Sequence, residues 1–486
     1  MTVNSNNSCL NLKFFTVLKL LLLVMLAPSV YALTFEEYKR AQQQEFNEWK
    51  SAQDKAFYQF LKEGWKNTKI APPIEVKRPK PEVLPIVQPE EELDKPKIVE
   101  PVKVVVPSIP EEKVFKTEPV FTGFKMSFYG QSLVWSIDRD WQTVRNFNPH
   151  KIDKDQVAEF WKTFAKLNLD AVLDEFDAYS RKLNLNGWGR LQLADQLAKN
   201  LMYHKNSQKL LAWALLVKMN EAVRLGYNDD GFYLLYHSQQ PLFNVNYWTY
   251  DDKRYYIFEA DGGRLTVSSL YTYEGDFSEK TKALDLNYHQ NPVFFTDARL
   301  QTISFNHKGK AYQFKAPVSQ NYADYLYSLP LQKSDTYFSR EPSEALKKVL
   351  IPQVKSVVAG MSQEEAINFL LAFAQKGLKY KLDKEHFNRS EKYLLPEETL
   401  LYVYSDCEDH SFLFAWLVRN VLGLSVVGLE YTGHIATAVN LEKPKGKSYV
   451  FQNRHYVVAD PTYVNASYGM EMPQYSGKKV KFIPVN

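Results

Sequence analysis

The stretch YSDCEDHSFLFAWLVRNVLGLSVVGLEYTGHIATAVN, residues 404–440, decides the fold of the C-terminal part of the chain. Its first half carries apolar residues at helical spacing and stops near Gly423, and Ser405 or Asp406 can cap the start. Its last seven residues alternate as a half-buried strand does. The stretch therefore predicts a helix whose first turn holds Cys407, followed by strands.

Cys407 is one of only two cysteines in 486 residues, and the other, Cys9, lies in a leader-like segment. A thiol in the first turn of a helix lies near free backbone amides and the positive end of the helix dipole, which favour the thiolate. A lone cysteine is most often buried and inert. The polar run DCEDH argues against burial here, so we predict a reactive thiol.

Two more chemically active residues lie on the predicted strands that follow. His434 shares one strand face with the small residues Ala436 and Ala438, which leaves room for a substrate, and the strand HYVVADPTY delivers Asp460. A thiolate that attacks an acyl carbon needs a proton carrier, and the carrier needs a group that orients it. A helix start followed by two strands is an order of elements that suits a catalytic triad of Cys407, His434 and Asp460.

Two other interpretations use the same region. His410 follows Cys407 by three residues and is an alternative base, but it projects from one helical turn away and has no obvious orienting group. A zinc site built from Cys407, His410, His434 and Asp460 would lack the CxxC or HExxH spacing typical of such sites. The pattern favours the triad.

At these residues the chain resembles the transglutaminase-like superfamily of papain-like fold, and specifically its exported bacterial members. The match comprises DCED at 406–409, GH at 433–434 and ADPTY at 459–463, and it extends upstream over 361–383 and 394–402. The resemblance implies an α+β fold in which helices pack on an antiparallel sheet.

The resemblance also implies roles for individual residues. Cys407 is the nucleophile, His434 the general base and then the general acid, and Asp460 the group that orients the imidazole. Asp409 fits the Cys-x-Asp pattern of the superfamily as a structural support. Ile435 stands where members commonly carry an aromatic residue, so substrate contacts are not transferred to this chain.

The activity implied by the resemblance is acyl transfer on amide or peptide bonds. Tyr404, or Tyr402, is expected to add a donor to the oxyanion hole beside the Cys407 amide. A protease or amidase is favoured over a cross-linking enzyme, because water is abundant in the cell envelope and no amine-binding pocket is evident in the sequence. Envelope proteins or peptidoglycan peptides are the expected substrates, with no cofactor and no metal. The alternative is a non-catalytic envelope adaptor built from transglutaminase-like domains.

Residues 1–32 have the pattern of a secretory signal peptide. They hold no acids, carry Lys13 and Lys19 beside an apolar run, and end in a small-x-small signature at Ala32. We therefore expect export to the periplasm or cell envelope of a bacterium, with no membrane span once the leader is removed. The formal charge would then fall from +4 to +2, which gives no support for nucleic-acid binding.

The next two segments are predicted as a helix, 33–70, and a spacer, 71–120. An eleven-residue repeat over 35–65 aligns aromatic residues in one stripe, as expected of an amphipathic helix. The stripe either docks on the protein's own domains or meets an envelope partner. Eleven of the 24 prolines fall in 71–120, which predicts an extended, semi-rigid spacer.

The remaining chain is predicted as an α+β domain, 121–335, and a transglutaminase-like catalytic domain, 336–486. The first domain repeats the order of helix and strands seen in the second. It is therefore a candidate inactive copy, in which His204, Gln239 and Asp261 replace the three triad residues. The alternative is an unrelated α+β domain that shares only this order of elements.

Overall fold

The computed structural model describes residues 52–76, 123–274, 281–287, 291–388 and 391–485. The predicted signal peptide, most of the predicted N-terminal helix and most of the predicted spacer lie outside these residues. The chain divides into two units, Met1–Phe57 and Tyr58–Asn486. In the first unit, residues 52–57 are described and are helical.

The N-terminal half of the larger unit is built on a six-stranded antiparallel sheet of order β1-β8-β4-β5-β7-β6. The strands are β1 (Trp65–Lys69), β4 (Val223–Asn228), β5 (Gly231–His237), β6 (Asn246–Tyr250), β7 (Lys253–Ile257) and β8 (Ser269–Tyr273). Leu235, Trp248 and Ile257 are among the buried residues that form the core on this sheet. Burial of this apolar surface is the main force that holds the strands together.

Five helices and a hairpin accompany this sheet. They are β2 (Phe124–Phe128), β3 (Gln131–Trp135), α1 (Trp141–Arg145), α2 (Lys154–Phe164), α3 (Asp170–Lys182), α4 (Gly187–Leu201) and α5 (Lys205–Lys218). Helix α5 packs on β4 and β5. Its Trp213 ring lies 5.6 Å from that of Trp161 in α2, so aromatic contacts join the two helices.

The predicted helix over 33–70 is wrong at its C-terminal end. Gly64 has a φ of +73°, a left-handed conformation that suits glycine and ends a helix. The next five residues form β1, which pairs with β8. Within the larger unit, the end of the aromatic stripe docks on the protein's own sheet, because the Phe60 ring lies 5.4 Å from the Tyr273 ring.

The start of the predicted spacer also belongs to the sheet. Ala71 exchanges backbone hydrogen bonds with Tyr247 of β6, and Ile74 accepts one from Asn244. These residues therefore continue the sheet before the chain enters 77–122, which lies outside the described residues.

The C-terminal half is built on a five-stranded antiparallel sheet of order β15-β16-β14-β13-β17. The strands are β13 (Val426–Tyr431), β14 (His434–Asn440), β15 (Ser448–Phe451), β16 (Arg454–Ala459) and β17 (Lys481–Ile483). Helix α12 (Cys407–Leu417) packs against β14 and is buried along its whole length. A helix buried on all sides can be apolar on all sides, which explains the run FLFAWL.

Seven helices, one hairpin of nine-residue strands and one pair of two-residue strands complete this half. They are β9 (Arg299–His307), β10 (Lys310–Val318), α6 (Gln320–Ser328), α7 (Ser334–Ser339), α8 (Glu344–Val358), α9 (Gln363–Gly377), β11 (Lys379–Tyr380), α10 (Asp383–His386), α11 (Pro396–Tyr402), β12 (Tyr404–Ser405) and α12. Phe305 of β9 packs on Phe369 and Phe373 of α9. The β9–β10 hairpin, assigned to 121–335 from the sequence, thus contributes to the core of the C-terminal half.

The mixed α+β class with antiparallel sheets is confirmed. A capping box formed by Ser362 and Glu365 is present at the start of α9. Within the described ranges, no helix has both the length and the apolar character needed to cross a membrane.

The two sheets share one order of strands. Read from one edge, β6-β7-β5-β4-β8 corresponds to β15-β16-β14-β13-β17, with α5 and α12 preceding the respective hairpins. The hairpins also have equivalent registers, because Val223 pairs with Tyr236 just as Val426 pairs with Val439. The N-terminal half therefore contains the helix packed on an antiparallel sheet that a second copy requires.

Candidate active site

Helix α12 begins at Cys407, as the sequence predicts. Asp406 precedes it in an extended conformation as the N-cap residue, and the helical run ends at Gly423, which has a φ of +68°. The expectation that the polar run keeps the thiol exposed is wrong, since Cys407 is only 4% exposed. The acids and the histidine of DCEDH are buried with it, so the start of the helix is a polar site enclosed by the fold.

His434 and Asp460 meet at the end of the sheet. His434 is the first residue of β14, directly after the turn in which Gly433 has a φ of +80°. Asp460 follows the last residue of β16, which pairs with β14. The His434 Nε2 and Asp460 Oδ2 atoms are 2.8 Å apart, so strand pairing joins two residues that are 26 positions apart in the chain.

Asp460 is held as a carboxylate that orients the imidazole. Burial alone would raise the pKa of Asp460, but the charge and hydrogen bond of His434, together with donors from Thr462, hold that pKa below its usual value. The Thr462 N–H and hydroxyl donate to Asp460 Oδ1 at 3.0 and 2.9 Å. With Nε2–H donated to Asp460, the Nδ1 atom of a neutral His434 is the nitrogen that can accept a proton.

Tyr475 covers the His434 imidazole, and the sequence did not indicate it. Its ring stacks on the His434 imidazole with centroids 4.7 Å apart and planes 11° apart. Burial, and negative charge on Cys407 and Asp460, raise the pKa of Tyr475 to about 12. The Ser411 hydroxyl in the first turns of α12 donates to the Ile435 carbonyl oxygen at 3.1 Å, so the helix start that holds Cys407 adjoins the strand that begins at His434. The histidine face that the sequence predicted to be open is covered by Tyr475.

Tyr380 is a second aromatic neighbour of the thiol that the sequence analysis missed. Burial, followed by the charges of Cys407, Asp406 and Glu408, raises its pKa far above the usual value. Tyr380 reaches this position because β11 pairs with β12 and aligns it with Ser405. The alternation of side chains over KYK, residues 379–381, is typical of a strand. It indicates a position near the start of α12 only once the pairing with β12 is known.

Tyr404 and Tyr402 do not take the predicted place in the site. The Tyr404 ring is at the surface, with the ammonium groups of Lys379 and Lys381 lying 5.5 and 5.4 Å from its centroid. The Tyr402 ring lies against His386, with centroids 5.6 Å apart. Because alternate residues of a strand face opposite ways, Tyr404 is turned to the face opposite Ser405.

Asp409 has contacts that suit the predicted structural support. Its Oδ1 accepts the Leu394 N–H at 2.7 Å, and its Oδ2 accepts the Asp406 N–H at 3.4 Å. Burial and the charges of Asp383 and Glu408 raise the pKa of Asp409 well above its usual value. The side chain ties the start of α12 to the segment that precedes α11.

His410 is bonded into the first turn of its own helix. Its Nδ1 lies 2.7 Å from the Asp406 carbonyl oxygen and 3.1 Å from the Ser405 hydroxyl. Burial lowers the pKa of His410 to about 4, so the ring is neutral near pH 7. These contacts favour a structural histidine over the alternative base.

A further acid lies directly at the thiol. Cys407 Sγ donates to Glu408 Oε2 at 3.0 Å. Among the described residues, the ligand atoms that converge within 4.8 Å belong to Asp383, Asp406 and Glu408. The alternative zinc set of Cys407, two histidines and Asp460 does not form such a group in that part of the chain.

Two of the three equivalent positions in the N-terminal half differ from those predicted. His204, the N-cap residue of α5, precedes Val223 by 19 residues, as Cys407 precedes Val426, and it therefore keeps the predicted place of Cys407. Gly231, and not Gln239, begins the second hairpin strand as His434 does.

The carboxylate position also shifts. Ile257 pairs with Leu235 of β5 as Val458 pairs with Ala438 of β14. Glu259 follows Ile257 by two residues, as Asp460 follows Val458. Glu259 therefore takes the place of Asp460, for which Asp261 was predicted. The N-terminal site thus lacks both a thiol and an imidazole at the positions used in the C-terminal half.

Comparison with known proteins gives no assignment. No protein-family model matches the sequence, and no curated protein matches it either. The function must therefore be inferred from the geometry of the site.

Proposed function

We propose that this protein is a cysteine-dependent acyl-transfer enzyme with a transglutaminase-like, papain-like catalytic domain, and that it hydrolyses amide or peptide bonds. The observation that carries the proposal is the buried His434–Asp460 pair, 2.8 Å apart, with Cys407 at the start of the helix that packs on the strand of His434. A nucleophile, a base and an orienting acid on neighbouring elements are what such catalysis needs.

The first half of the reaction forms a thioester. Asp460 holds the Nε2–H of His434, and Nδ1 accepts the proton of the Cys407 thiol. The thiolate attacks the carbonyl carbon of an amide, and the backbone N–H of Cys407 at the helix start donates to the oxygen that becomes negative. His434 then gives its proton to the leaving amine as the carbon–nitrogen bond breaks.

The second half releases the acyl group. His434 takes a proton from water, the resulting hydroxide attacks the thioester carbon, and the carbon–sulfur bond breaks to give a carboxylic acid. The thiolate recovers the proton from His434. An amine in place of water would give cross-linking, but water is the more abundant acceptor in the envelope.

The substrate must reach two nearly buried groups, since Cys407 is 4% exposed and His434 is 5% exposed. The Tyr475 ring stacked on His434 must move for a substrate to reach that face of the imidazole. The proposed substrates are envelope proteins or peptidoglycan peptides, on the basis of the leader-like residues 1–32. This localisation is part of the same proposal.

Thiol alkylation tests the proposal directly, because Cys407 is the only cysteine in 33–486. We expect iodoacetamide to modify Cys407 at pH 6 at least about ten times faster than it modifies an unperturbed thiol, whose pKa is about 8.5. The His434→Ala variant should lose this advantage. The protein in denaturant provides the unperturbed rate for the same thiol.

Asp460→Asn gives the second arm of the test. The amide keeps the size of the side chain but favours the wrong tautomer of His434, a change that costs several orders of magnitude in a comparable triad. We expect the pH 6 advantage to fall at least about tenfold. Exposed Asp138→Asn is the control and should behave as wild type.

The alternative function is a non-catalytic envelope adaptor, and the N-terminal half without triad equivalents is the observation that favours it. The adaptor would be supported if Cys407 reacted no faster than a free thiol and a Cys407→Ala strain retained full biological function. Loss of function in Cys407→Ala with normal folding supports the enzyme.

A further inference from the structure

Gln375 bonds to the main chain of the turn that begins at Asp460. It lies near the end of α9 and is only 7% exposed. Its Nε2 group donates to the Asp460 carbonyl oxygen at 3.0 Å and to the Ala466 carbonyl oxygen at 3.1 Å. One side-chain amide therefore joins α9 to both ends of the segment 460–466, although these two residues are 85 and 91 positions from Gln375 in the chain.

The segment 460–466 begins where the pairing of β14 with β16 stops. The last paired residues are Thr437 and Ala459, so Asp460 lies one residue beyond the sheet register. Residues 461–466 belong to no helix or strand. The hydrogen bonds of the sheet therefore do not fix the main chain of Asp460, and other contacts must do so.

The two oxygens at Gln375 match the chemistry of a primary amide. Both partners are main-chain carbonyl oxygens, which accept and cannot donate, so only the NH₂ end of the glutamine can satisfy them. Its two hydrogens provide one bond to each oxygen. Because a buried carbonyl oxygen without a donor is unfavourable, these bonds fix the separation of Asp460 and Ala466 and tie both residues to α9.

The side chain of the same Asp460 bonds the imidazole. Its Oδ2 lies 2.8 Å from His434 Nε2, and its Oδ1 accepts two bonds from Thr462 in the same turn. A hydrogen bond is lost once its heavy atoms separate beyond about 3.5 Å. A displacement of the Asp460 main chain by less than about 1 Å would therefore break the bond that fixes the tautomer of His434.

We propose that Gln375 is a positioning residue, which holds the turn after β16 so that the Asp460 carboxylate meets His434. Its effect on reactivity rests on the proposed acyl transfer. Gln375 acts through the main chain of Asp460 and not on the reacting atoms. The sequence did not indicate this role, because the partners of the glutamine are main-chain oxygens of a distant segment.

The pH profile of thiol alkylation separates positioning from stability. Gln375→Met removes both donors at nearly constant volume. We expect iodoacetamide to modify Cys407 of this variant about three to ten times more slowly than wild type at pH 6. At about pH 9.5, where an ordinary thiol is ionised as well, the two rates should agree within about twofold. Gln363→Met changes an exposed residue of the same α9 and should keep the wild-type profile.

A purely structural role of Gln375 would give a different result. It would lower the melting temperature and leave the pH profile of alkylation unchanged. Circular dichroism shows whether Gln375→Met is folded. If it is not, Gln375→Asn replaces it, because an amide one methylene group shorter cannot reach both carbonyl oxygens and should change the profile in the same direction.

Crystal structures of the wild-type protein and the variant test the geometry without reference to catalysis. We expect the distance between His434 Nε2 and Asp460 Oδ2 to exceed about 3.5 Å in the variant. A folded variant that keeps the wild-type distance overturns the proposal. So does a folded variant with the wild-type pH profile when wild-type Cys407 shows its advantage at pH 6. If wild-type Cys407 shows no such advantage, the acyl-transfer proposal fails, and the distance alone decides the role of Gln375.

Discussion

At the scale of single residues, the partner of each buried carboxylate determines its role. Asp460 has a depressed pKa because it faces His434 and Thr462. Asp409 is bonded to backbone amides, and Asp406 retains an unsatisfied oxygen. One residue type therefore bonds an imidazole, anchors a helix start or retains an unsatisfied oxygen, depending on the contacts that the fold provides.

Tyr475→Ala should open the site. The ring covers His434 and neighbours Cys407, so its removal should let a bulky maleimide reach the thiol several times faster. Tyr475→Phe keeps the ring and should leave the rate unchanged. The rate is followed as loss of free thiol, and an equally slow Tyr475→Ala variant would assign the cover to Tyr380 instead.

At the scale of elements, the site is assembled from the ends of elements. The thiol is on the first residue of α12, the imidazole on the first residue of β14, and the carboxylate directly after β16. Side chains at ends can converge while the regular parts of the elements pack in the core. In the segment from α11 to β12, just before Cys407, Val403 adopts a left-handed backbone conformation. This conformation is unfavourable for valine and is a local energetic cost of the placement.

Val403→Asn should stabilise the protein. Val403 ends α11 with a φ of +60° and a ψ of 3°, a left-handed conformation that costs a β-branched residue about 1 to 2 kcal/mol and that asparagine tolerates better. We expect the free energy of unfolding in urea to rise by about 1 kcal/mol. The control Val403→Thr remains β-branched and should show no gain in the free energy of unfolding. A lower free energy of unfolding in Val403→Asn would mean that packing of the valine side chain outweighs the backbone strain.

Glu397→Gln should change the pH dependence of stability. Burial raises the pKa of Glu397 to about 7 from 4.5, so its contribution to folding is fully present below pH 4.5 and is lost as the pH rises through 7. The variant should be more stable than wild type above pH 7, by up to about 3 kcal/mol, with no such gain at pH 4.5.

Urea denaturation at several pH values measures this difference for Glu397. Exposed Glu344→Gln, in the first turn of α8, should show no comparable pH dependence. A parallel shift of the Glu397→Gln curve at every pH would contradict the assignment, because it would not depend on ionisation.

At the scale of the whole molecule, two sheets of one topology carry different chemistry. In the C-terminal half the acid that follows β16 faces His434, and in the N-terminal half Glu259, which follows β7, forms an ion pair with the buried Lys209. The correspondence favours the interpretation of the N-terminal half as an inactive copy. There the carboxylate stabilises the fold and has no imidazole to orient.

Glu259→Gln should therefore reduce stability and leave the thiol unaffected. The substitution removes the negative partner of Lys209, whose side chain is 8% exposed. Removing one partner of a buried ion pair lowers the free energy of unfolding by about 3 kcal/mol. Glu274→Gln breaks the exposed pair with Lys66 and should cost less than about 1 kcal/mol. Urea denaturation and the pH 6 alkylation rate are the two measurements. A slower alkylation rate in folded Glu259→Gln would contradict the separation of roles.

Much of the C-terminal half could be predicted because its signals are local. The helix start at Cys407, the stop at Gly423 and the strand that begins at His434 depend on caps, a left-handed glycine and alternation, each of which involves a few adjacent residues. The prediction that the helix continues to residue 70 was wrong, because the periodicity takes no account of Gly64 and of the sheet edge with which the following residues pair.

The sequence by itself determined the α+β class, the elements that carry Cys407, His434 and Asp460, and the chemical types of these residues. Only the tertiary structure decided that Tyr475 stacks on His434, that Asp383 joins Asp406 and Glu408, and that Cys407, His434 and Asp460 are buried. The reason is physical: caps and alternation act over a few residues, whereas ring stacking and the convergence of carboxylates depend on how distant segments pack.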